Sequence, residues 1–291
     1  MIDFPIVDSH IHLLNPGRFG YAWTKGAPSL NRLVLPSDLT AAAAPVKIEA
    51  FVFVEVDVDY PQHLDEAGWV AELAKSDTRL KGAVAALALE KGHAIAAEVE
   101  ALAKNPIVRG VRRLIQSQPD PDFCVRPDFI AGLKLLAPHD LVFDICVFHH
   151  HLPNVIKMVA ACPELRFVLD HIGKPAIKAG LRDPWRQNLK ELAGFPNVAC
   201  KISGVATEAD HKSWTREELR PYIEHAIECF GFDRSLYGGD WHVLELACAY
   251  PDWVDIVDWV TSSASREERR KLFRDNTFRV YRLEVPAGQA P

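Results

Sequence analysis

The chain has 291 residues, of which 48% are apolar and 25% are charged, a balance that supports a sizeable hydrophobic core. Its formal net charge of −6 argues against a general affinity for nucleic acid, which needs a basic surface. No apolar run is long enough to cross a bilayer, and the first residues do not read as a cleaved signal. We therefore expect a cytoplasmic protein whose partners include neither nucleic acid nor a membrane.

The six cysteines are far apart in the sequence and form no Cys-x-x-Cys pair. Several of them lie inside apolar runs. Reduced and mostly buried thiols are therefore expected.

Eight short runs rich in apolar or β-branched residues are predicted to be strands, and they span 5–8, 49–56, 80–87, 107–114, 141–148, 166–170, 198–202 and 235–238. Helical patterning separates them, over 64–75, 93–103, 127–136, 152–161, 185–193 and 216–229. This alternation predicts parallel strands joined by crossover helices, and eight units predict one α/β domain, a (β/α)8 TIM barrel over 1–291. Residues 15–37 are predicted to form a long first loop over the active-site face, and 286–291 a disordered tail.

The segment Asp8-Ser9-His10-Ile11-His12 directly follows the apolar run Phe4-Pro5-Ile6-Val7, and the first strand can extend over 6–10. Side chains of a strand alternate with period two, so His10 and His12 are expected on the same side, where two imidazoles can converge on one ion or substrate. A His-x-His pair alone is more often an ordinary pair of strand-end histidines. The prediction of a site therefore depends on partners at the ends of other strands.

In a closed parallel barrel the carboxyl ends of all strands open onto one face. Every predicted strand except the third ends in polar groups, which are, in chain order, Asp8, His10 and His12; Glu55 and Asp57; Arg112, Arg113 and Gln116; Asp144 and His149-His150-His151; Asp170, His171 and Lys174; Lys201 and Ser203; and Asp240, Trp241 and His242. Which of the three consecutive histidines faces the site is open. Arg112 and Arg113 point in opposite directions on their strand, so one of them is expected to pair with a carboxylate in the helical layer. Asp8 can act by accepting a hydrogen bond that orients an imidazole.

The motifs Asp8-Ser9-His10-Ile11-His12, Asp170-His171-Ile172-Gly173-Lys174-Pro175, Cys200-Lys201-Ile202-Ser203-Gly204 and Gly238-Gly239-Asp240-Trp241 resemble those of the amidohydrolase superfamily. Within it, the chain resembles the amidohydrolase-2 group of sugar lactonases, which includes L-fuconolactonase, L-rhamnono-lactonase and 2-pyrone-4,6-dicarboxylate lactonase. The resemblance covers nearly the whole chain. It implies a (β/α)8 hydrolase in which Asp240 is the general base that activates water.

The resemblance also implies a place for a divalent ion near His10, His12 and His171. Binuclear members carry a bridging lysine where this chain has Arg112-Arg113, so a single ion at most is expected, held by His10, His12 and Asp240. His149 would supply a further imidazole. Related lactonases are thought to need no metal, so no obligatory cofactor is expected, and zinc is the candidate if an ion binds.

Lactone hydrolysis needs a base for water and positive charge where the carbonyl oxygen becomes negative. Asp240 is predicted to be the base, with Arg112 and His171 holding the oxyanion. The residues predicted to contact the substrate are Glu55, Arg113, Gln116, Asp144, His149, Lys201, Ser203 and Trp241. The expected substrate is an aldonolactone such as L-fucono- or L-rhamnono-lactone.

Two alternatives remain at this stage. A metal-dependent decarboxylase or amide hydrolase of the same superfamily would use the same His-x-His pair and aspartate. A non-catalytic barrel that binds a sugar acid would not need Asp240 with three imidazoles. The sequence leaves open the sugar, the ring size of the lactone and whether the chain forms a homo-oligomer.

Overall fold

A computed structural model describes residues 2–285 of the chain, and the predicted tail at 286–291 lies outside the described residues. Eight parallel strands are hydrogen-bonded in sequence order, which confirms the predicted (β/α)8 barrel. The strands are β1 (Ile6–Ile11), β2 (Ile48–Val54), β3 (Leu80–Ala86), β4 (Val108–Arg112), β5 (Val142–Ile145), β6 (Phe167–Leu169), β7 (Val198–Ile202) and β8 (Ser235–Tyr237).

Contacts between β1 and the segment that follows β8 nearly close the barrel. The backbone nitrogen of Asp240 donates to His10 O at 2.9 Å, and His12 N donates to Trp241 O at 2.6 Å. The Asp8 carboxylate accepts from the backbone nitrogens of Gly239 and His10, at 2.9 and 2.8 Å. The carboxylate of Asp8, for which the sequence allowed a role in orienting an imidazole, thus ties the two ends of the sheet together.

The helices are α1 (Pro36–Ala43), α2 (His63–Ser76), α3 (Ala96–Lys104), α4 (Pro127–Lys134), α5 (Leu152–Ala160), α6 (Trp185–Ala193), α7 (Arg216–Arg234), α8 (Tyr250–Val260), α9 (Arg266–Arg270) and α10 (Asn276–Tyr281). The helix expected from residue 93 begins at Ala96. A turn of 3₁₀ helix precedes it, because Gly92 has a φ of 59° that an α-helix does not accept. Most predicted strands end one to three residues early, where the chain turns into polar loops.

The interior of the barrel is filled from below by the end of the chain. A small buried cluster joins Val52, Val142 and Leu236 of the strands to Phe278 and Tyr281 of α10. Side chains in such layers make a barrel a packed core rather than a pore. This packing closes the barrel interior from below, on the side away from the carboxyl ends of the strands.

All six cysteines lie within residues 2–285, are free of disulfide bonds and are buried or partly buried, as expected. Of the helices in this part of the chain, none combines the length and the apolar character that a membrane span requires.

Candidate active site

A cavity of about 230 Å³ opens at the carboxyl ends of the strands. This is the face on which barrel enzymes build their active sites, because the βα loops converge there. The wall of the cavity combines charged, polar and apolar side chains, which are His12, Trp23, Val56, Asp57, Arg112, Leu114, Gln116, Ser117, Cys146, His171, Lys174, Asp240 and Val243.

Two imidazoles and one carboxylate meet at this cavity, where His12 and Asp240 line the wall and His10 is fully buried next to them. The Nε2 atoms of His10 and His12 are 3.2 Å apart. Oδ1 of Asp240 lies 3.7 Å from the first and 3.3 Å from the second. All three side chains are almost fully buried. The alternation of β1 and the end of β8 thus bring together the three residues predicted as metal ligands.

The three donor atoms fit one divalent ion. In a tetrahedral zinc site with bonds of about 2.1 Å, neighbouring donor atoms are roughly 3.4 Å apart, close to the separations between these three atoms. His12 Nδ1 lies 2.9 Å from the carbonyl oxygen of Val54, which can only accept a proton. Nδ1 of a neutral His12 therefore carries the proton, and Nε2 keeps a lone pair for an ion.

A second group of candidate ligands, His10, Asp170 and His171, is less suited to an ion. The two carboxylate oxygens of Asp170 already face cations, with Arg112 Nη1 at 3.1 Å and Lys201 Nζ at 3.0 Å. These cations neutralise the carboxylate that a second ion would need. The geometry therefore fits one ion better than two.

His171 is the third imidazole beside Asp240. Its Nε2 lies 3.8 Å from Asp240 Oδ1, and its Nδ1 lies 2.9 Å from the hydroxyl of Ser203. Burial lowers the pKa of His171 to about 4, although Asp240 opposes this, so the ring is neutral at neutral pH. A Cβ at Gly204 would lie 2.5 Å from the ring, which explains a glycine there.

Backbone strain is concentrated around the cavity. Seven non-glycine residues within 2–285 have a positive φ, and five of them lie at this end of the barrel: Asp57, His171, Ile172, Lys174 and Asp240. Such conformations are costly and persist where the surrounding structure holds them. The loops that carry these side chains are therefore held in place rather than free to relax.

Arg112 forms a buried ion pair at the wall of the cavity. Its Nε donates to Glu55 Oε1 at 2.6 Å, Nη2 donates to the backbone oxygen of Glu55 at 2.6 Å, and Nη1 donates to Asp170 at 3.1 Å. Neither the arginine nor the carboxylates are more than 4% exposed. Most of the donors of this arginine are therefore used within the protein.

Lys201 forms a second buried ion pair, deeper in the barrel. Its Nζ lies 2.5 Å from Asp144 Oδ2 and 3.0 Å from Asp170 Oδ1. The hydroxyl of Tyr281 from α10 donates to Asp144 at 2.8 Å. Burial opposes the charge of Asp170, but Lys201 above all holds the pKa of that carboxyl well below its usual range. The floor of the site thus rests on a network of paired charges.

Of the eight residues predicted to contact substrate, only Gln116 lines the cavity. Four others are buried behind the wall and bonded to protein groups, and these are Glu55, Asp144, Lys201 and Ser203. Their polar atoms hold other side chains in place. The substrate contacts predicted for these four are therefore not retained.

The remaining three also lie away from the cavity wall. Arg113 turns into the helical layer and donates to Glu90 at 2.7 Å, so it is the arginine that pairs there. Trp241 is buried, and its Nε1 donates to Glu245 at 2.9 Å. His149 is partly buried and does not line the cavity.

Several cavity residues received no role from the sequence. Trp23 lies in the long first loop, where its Nε1 donates to Val56 O at 2.7 Å. Asp57 and Lys174 were noted at strand ends but not selected. The overhanging loop and the lysine of the Asp-His-Ile-Gly-Lys-Pro motif were the signals available for Trp23 and Lys174. The apolar lining residues carried no such signal.

The chain is similar in sequence and in fold to known amidohydrolases. The sequence pattern of the amidohydrolase family matches residues 7–283. The chain is 33% identical to an L-fucono-1,5-lactonase of Burkholderia multivorans and 31% identical to one of Burkholderia ambifaria, each over 97% of both proteins. It is also similar to a zinc-bound crystal structure of an amidohydrolase from Burkholderia multivorans, with a TM-score of 0.87 and 30% identity over 97% of this chain and all of that one.

Proposed function

We propose that this chain, which belongs to the amidohydrolase family, is a hydrolase that opens a sugar-derived lactone. The observation that carries the proposal is Asp240, a carboxylate at the cavity wall whose Oδ1 lies within 3.8 Å of three imidazole nitrogens. Similarity to two L-fucono-1,5-lactonases over almost the full length supports a cyclic ester as the substrate.

In the proposed reaction, Asp240 accepts a proton from water as the oxygen of that water bonds to the lactone carbonyl carbon. Burial opposes the charge of Asp240, but His171 and the neighbouring histidines hold the pKa of its carboxyl well below the usual range. The carboxylate is therefore ionised and able to accept the proton. When the carbon–oxygen bond of the ring breaks, Asp240 returns the proton to the ring oxygen, which leaves as a hydroxyl group.

Negative charge on the carbonyl oxygen needs donors at the cavity wall. Arg112 lines the cavity and keeps an Nη2 hydrogen beyond the one donated to Glu55 O. If Ser203 donates to Nδ1 of His171, neutral His171 carries its proton at Nε2, on the side of Asp240. We assign Arg112 and His171 to the oxyanion on this basis.

His10, His12 and Asp240 would hold a divalent ion, and zinc is the ion we propose. When bound, such an ion polarises a carbonyl group or lowers the pKa of water. We propose that it is not obligatory, because the donors of Arg112 and His171 supply charge stabilisation from the protein itself.

Metal removal tests this point. After the protein is treated with a chelator and the chelator is removed, we expect it to contain no stoichiometric zinc. Its kcat should stay within about threefold of the untreated value, because protein donors stabilise the oxyanion. Metal analysis and kinetics on the same sample make the measurement. Activity that falls in proportion to zinc, and returns when zinc is added, would make the ion obligatory.

The wall favours a neutral, hydroxylated substrate. Asp57, Gln116 and Ser117 offer hydrogen-bonding groups to hydroxyls, while Trp23 offers an apolar face to the ring. A dicarboxylate would require several unpaired cations, whereas Arg112 is already paired with carboxylates and Lys174 is the one other lysine or arginine among the wall residues. We therefore propose five- or six-membered aldonolactones as the substrate class.

A panel of sugar lactones, aromatic acids, amides and phosphate esters tests the function. We expect acid release from aldonolactones with a preference among stereoisomers, because a site that binds hydroxyls leaves buried polar groups unpaired when they are absent. Asp240→Asn protein and buffer alone correct for contaminating enzyme and spontaneous hydrolysis. Inactivity on every lactone together with decarboxylation of an aromatic acid would refute the proposal in favour of a decarboxylase.

A further inference from the structure

Lys174 lies at the cavity wall, and its ammonium group has no hydrogen-bond acceptor within residues 2–285. The side chain is 16% exposed, and the nearest carboxylate oxygen, Glu208 Oε1, lies 3.9 Å from its Nζ, beyond hydrogen-bond distance. Its other close partner is the ring of Phe148, with the centroid 5.5 Å from Nζ. Within residues 2–285, no acceptor is hydrogen-bonded to the three donors of this ammonium group.

The other two buried cations near the site differ in this respect. Arg112 donates to Glu55 and Asp170. Lys201 lies 2.5 Å from Asp144 Oδ2 and 3.0 Å from Asp170 Oδ1, so its charge is paired with two buried carboxylates. A largely buried charge without hydrogen bonds is costly, so the donors of Lys174 are best explained by a ligand that accepts them.

The backbone holds Lys174 in a defined place. The residue directly follows the turn Asp170–Gly173 that carries His171, and its φ of 44° lies in the left-handed region. Its backbone nitrogen donates to His171 O at 2.9 Å, and its backbone oxygen accepts from His149 N at 3.2 Å. The same strained turn therefore fixes Lys174 and the imidazole beside Asp240 relative to one another.

The charge of Lys174 is maintained in this environment. Burial disfavours the ammonium form, but Cys146, and after it the carboxylates of Glu208 and Asp240, raise the pKa of Lys174 above its ordinary value. Glu208 is itself only 19% exposed and lies too far away to use a donor of the ammonium group. It balances the charge and leaves the donors available.

We propose that Lys174 is a further catalytic residue, whose ammonium group binds the lactone carbonyl oxygen and stabilises the oxyanion. The proposal rests on the lactonase function and adds a donor to Arg112 and His171. No proton moves to or from Lys174. When water adds to the carbonyl carbon, the negative charge forms beside a fixed positive charge. After ring opening the new carboxylic acid releases its remaining proton to solvent, and the same ammonium group binds the resulting carboxylate.

The test compares Lys174→Met, which removes the charge at similar length, with Lys174→Arg, which keeps it. Lys178→Met is the matched control, since Lys178 is 70% exposed and pairs with Asp210 at the surface. On the lactone with the highest kcat/KM for the natural protein, we expect Lys174→Met to lower kcat by about 10²- to 10³-fold, as for loss of an oxyanion donor. Lys174→Arg should retain more activity than Lys174→Met, and Lys178→Met should match the natural protein.

Product inhibition provides a second readout that a purely structural role would not change. We expect the inhibition constant of the aldonate product to rise by about tenfold or more in Lys174→Met, because a carboxylate loses its cation. Thermal unfolding checks that the variants are folded. If the natural protein is active and the Lys174→Met variant keeps kcat within about threefold, or changes only KM, the proposed role of Lys174 is overturned. The lactonase function is not affected by that result. A natural protein inactive on all lactones would refute the lactonase function and this role with it.

Discussion

Replacing Asp240 by asparagine is expected to lower kcat by about 10²-fold or more, the size typical of losing a general base. Asparagine keeps the shape of the side chain and can still bond to the neighbouring imidazoles, which lie 3.3–3.8 Å from Oδ1. It cannot take a proton from water. Steady-state kinetics on the best lactone, with protein shown to be folded, make the measurement.

Asp57→Asn is the matched control for this experiment. Asp57 is a second carboxylate on the cavity wall, without an imidazole partner among the ion pairs of residues 2–285. Its replacement should change KM or the preference among stereoisomers and leave kcat within about fivefold, because it removes binding and not the base. An Asp240→Asn variant with kcat near that of the natural protein would show that another group activates water.

Replacing Arg112 by methionine is expected to lower the free energy of unfolding by about 3–5 kcal/mol, the cost of leaving buried charges without their partner. The guanidinium group lies between Glu55 and Asp170, and all three side chains are at most 4% exposed. Methionine fills part of the space but cannot neutralise either carboxylate. Equilibrium unfolding in denaturant measures the change.

The neighbouring residue provides the control. Arg113 bonds to Glu90, and the two side chains are 18% and 27% exposed. Water can replace Arg113 at this pair, so Arg113→Met should cost about 1 kcal/mol or less. Equal losses for the two variants would contradict the view that the Arg112 pair is buried and the Arg113 pair is not.

The barrel could be predicted from the sequence because its signals are local. Each strand is a short apolar run, and each helix between strands has its own repeat of apolar residues, so neither depends on distant contacts. The period of two in β1 likewise determines that His10 and His12 share a side. Once the strands form a closed sheet, Asp240 must lie near them, because β8 adjoins β1.

The role of each polar residue at the strand ends depends on contacts with residues that are distant in the sequence. Lys201 lies against Asp144, and the hydroxyl of Tyr281 reaches the same carboxylate from the last helix. No local pattern indicates such partners. These residues were therefore interpreted as substrate contacts, although their polar atoms are bonded within the protein.

The sequence by itself thus determined the eight-stranded barrel, the shared face of its strand ends and the family to which the motifs belong. Only the tertiary structure decided that Arg112 faces the cavity while Arg113 pairs with Glu90, and that Lys174 keeps its donors unused. The physical reason is that secondary structure follows from the pattern of neighbouring residues. Whether a charge is paired or available depends on which atoms lie within a few ångströms of it, and those atoms come from other strands and loops.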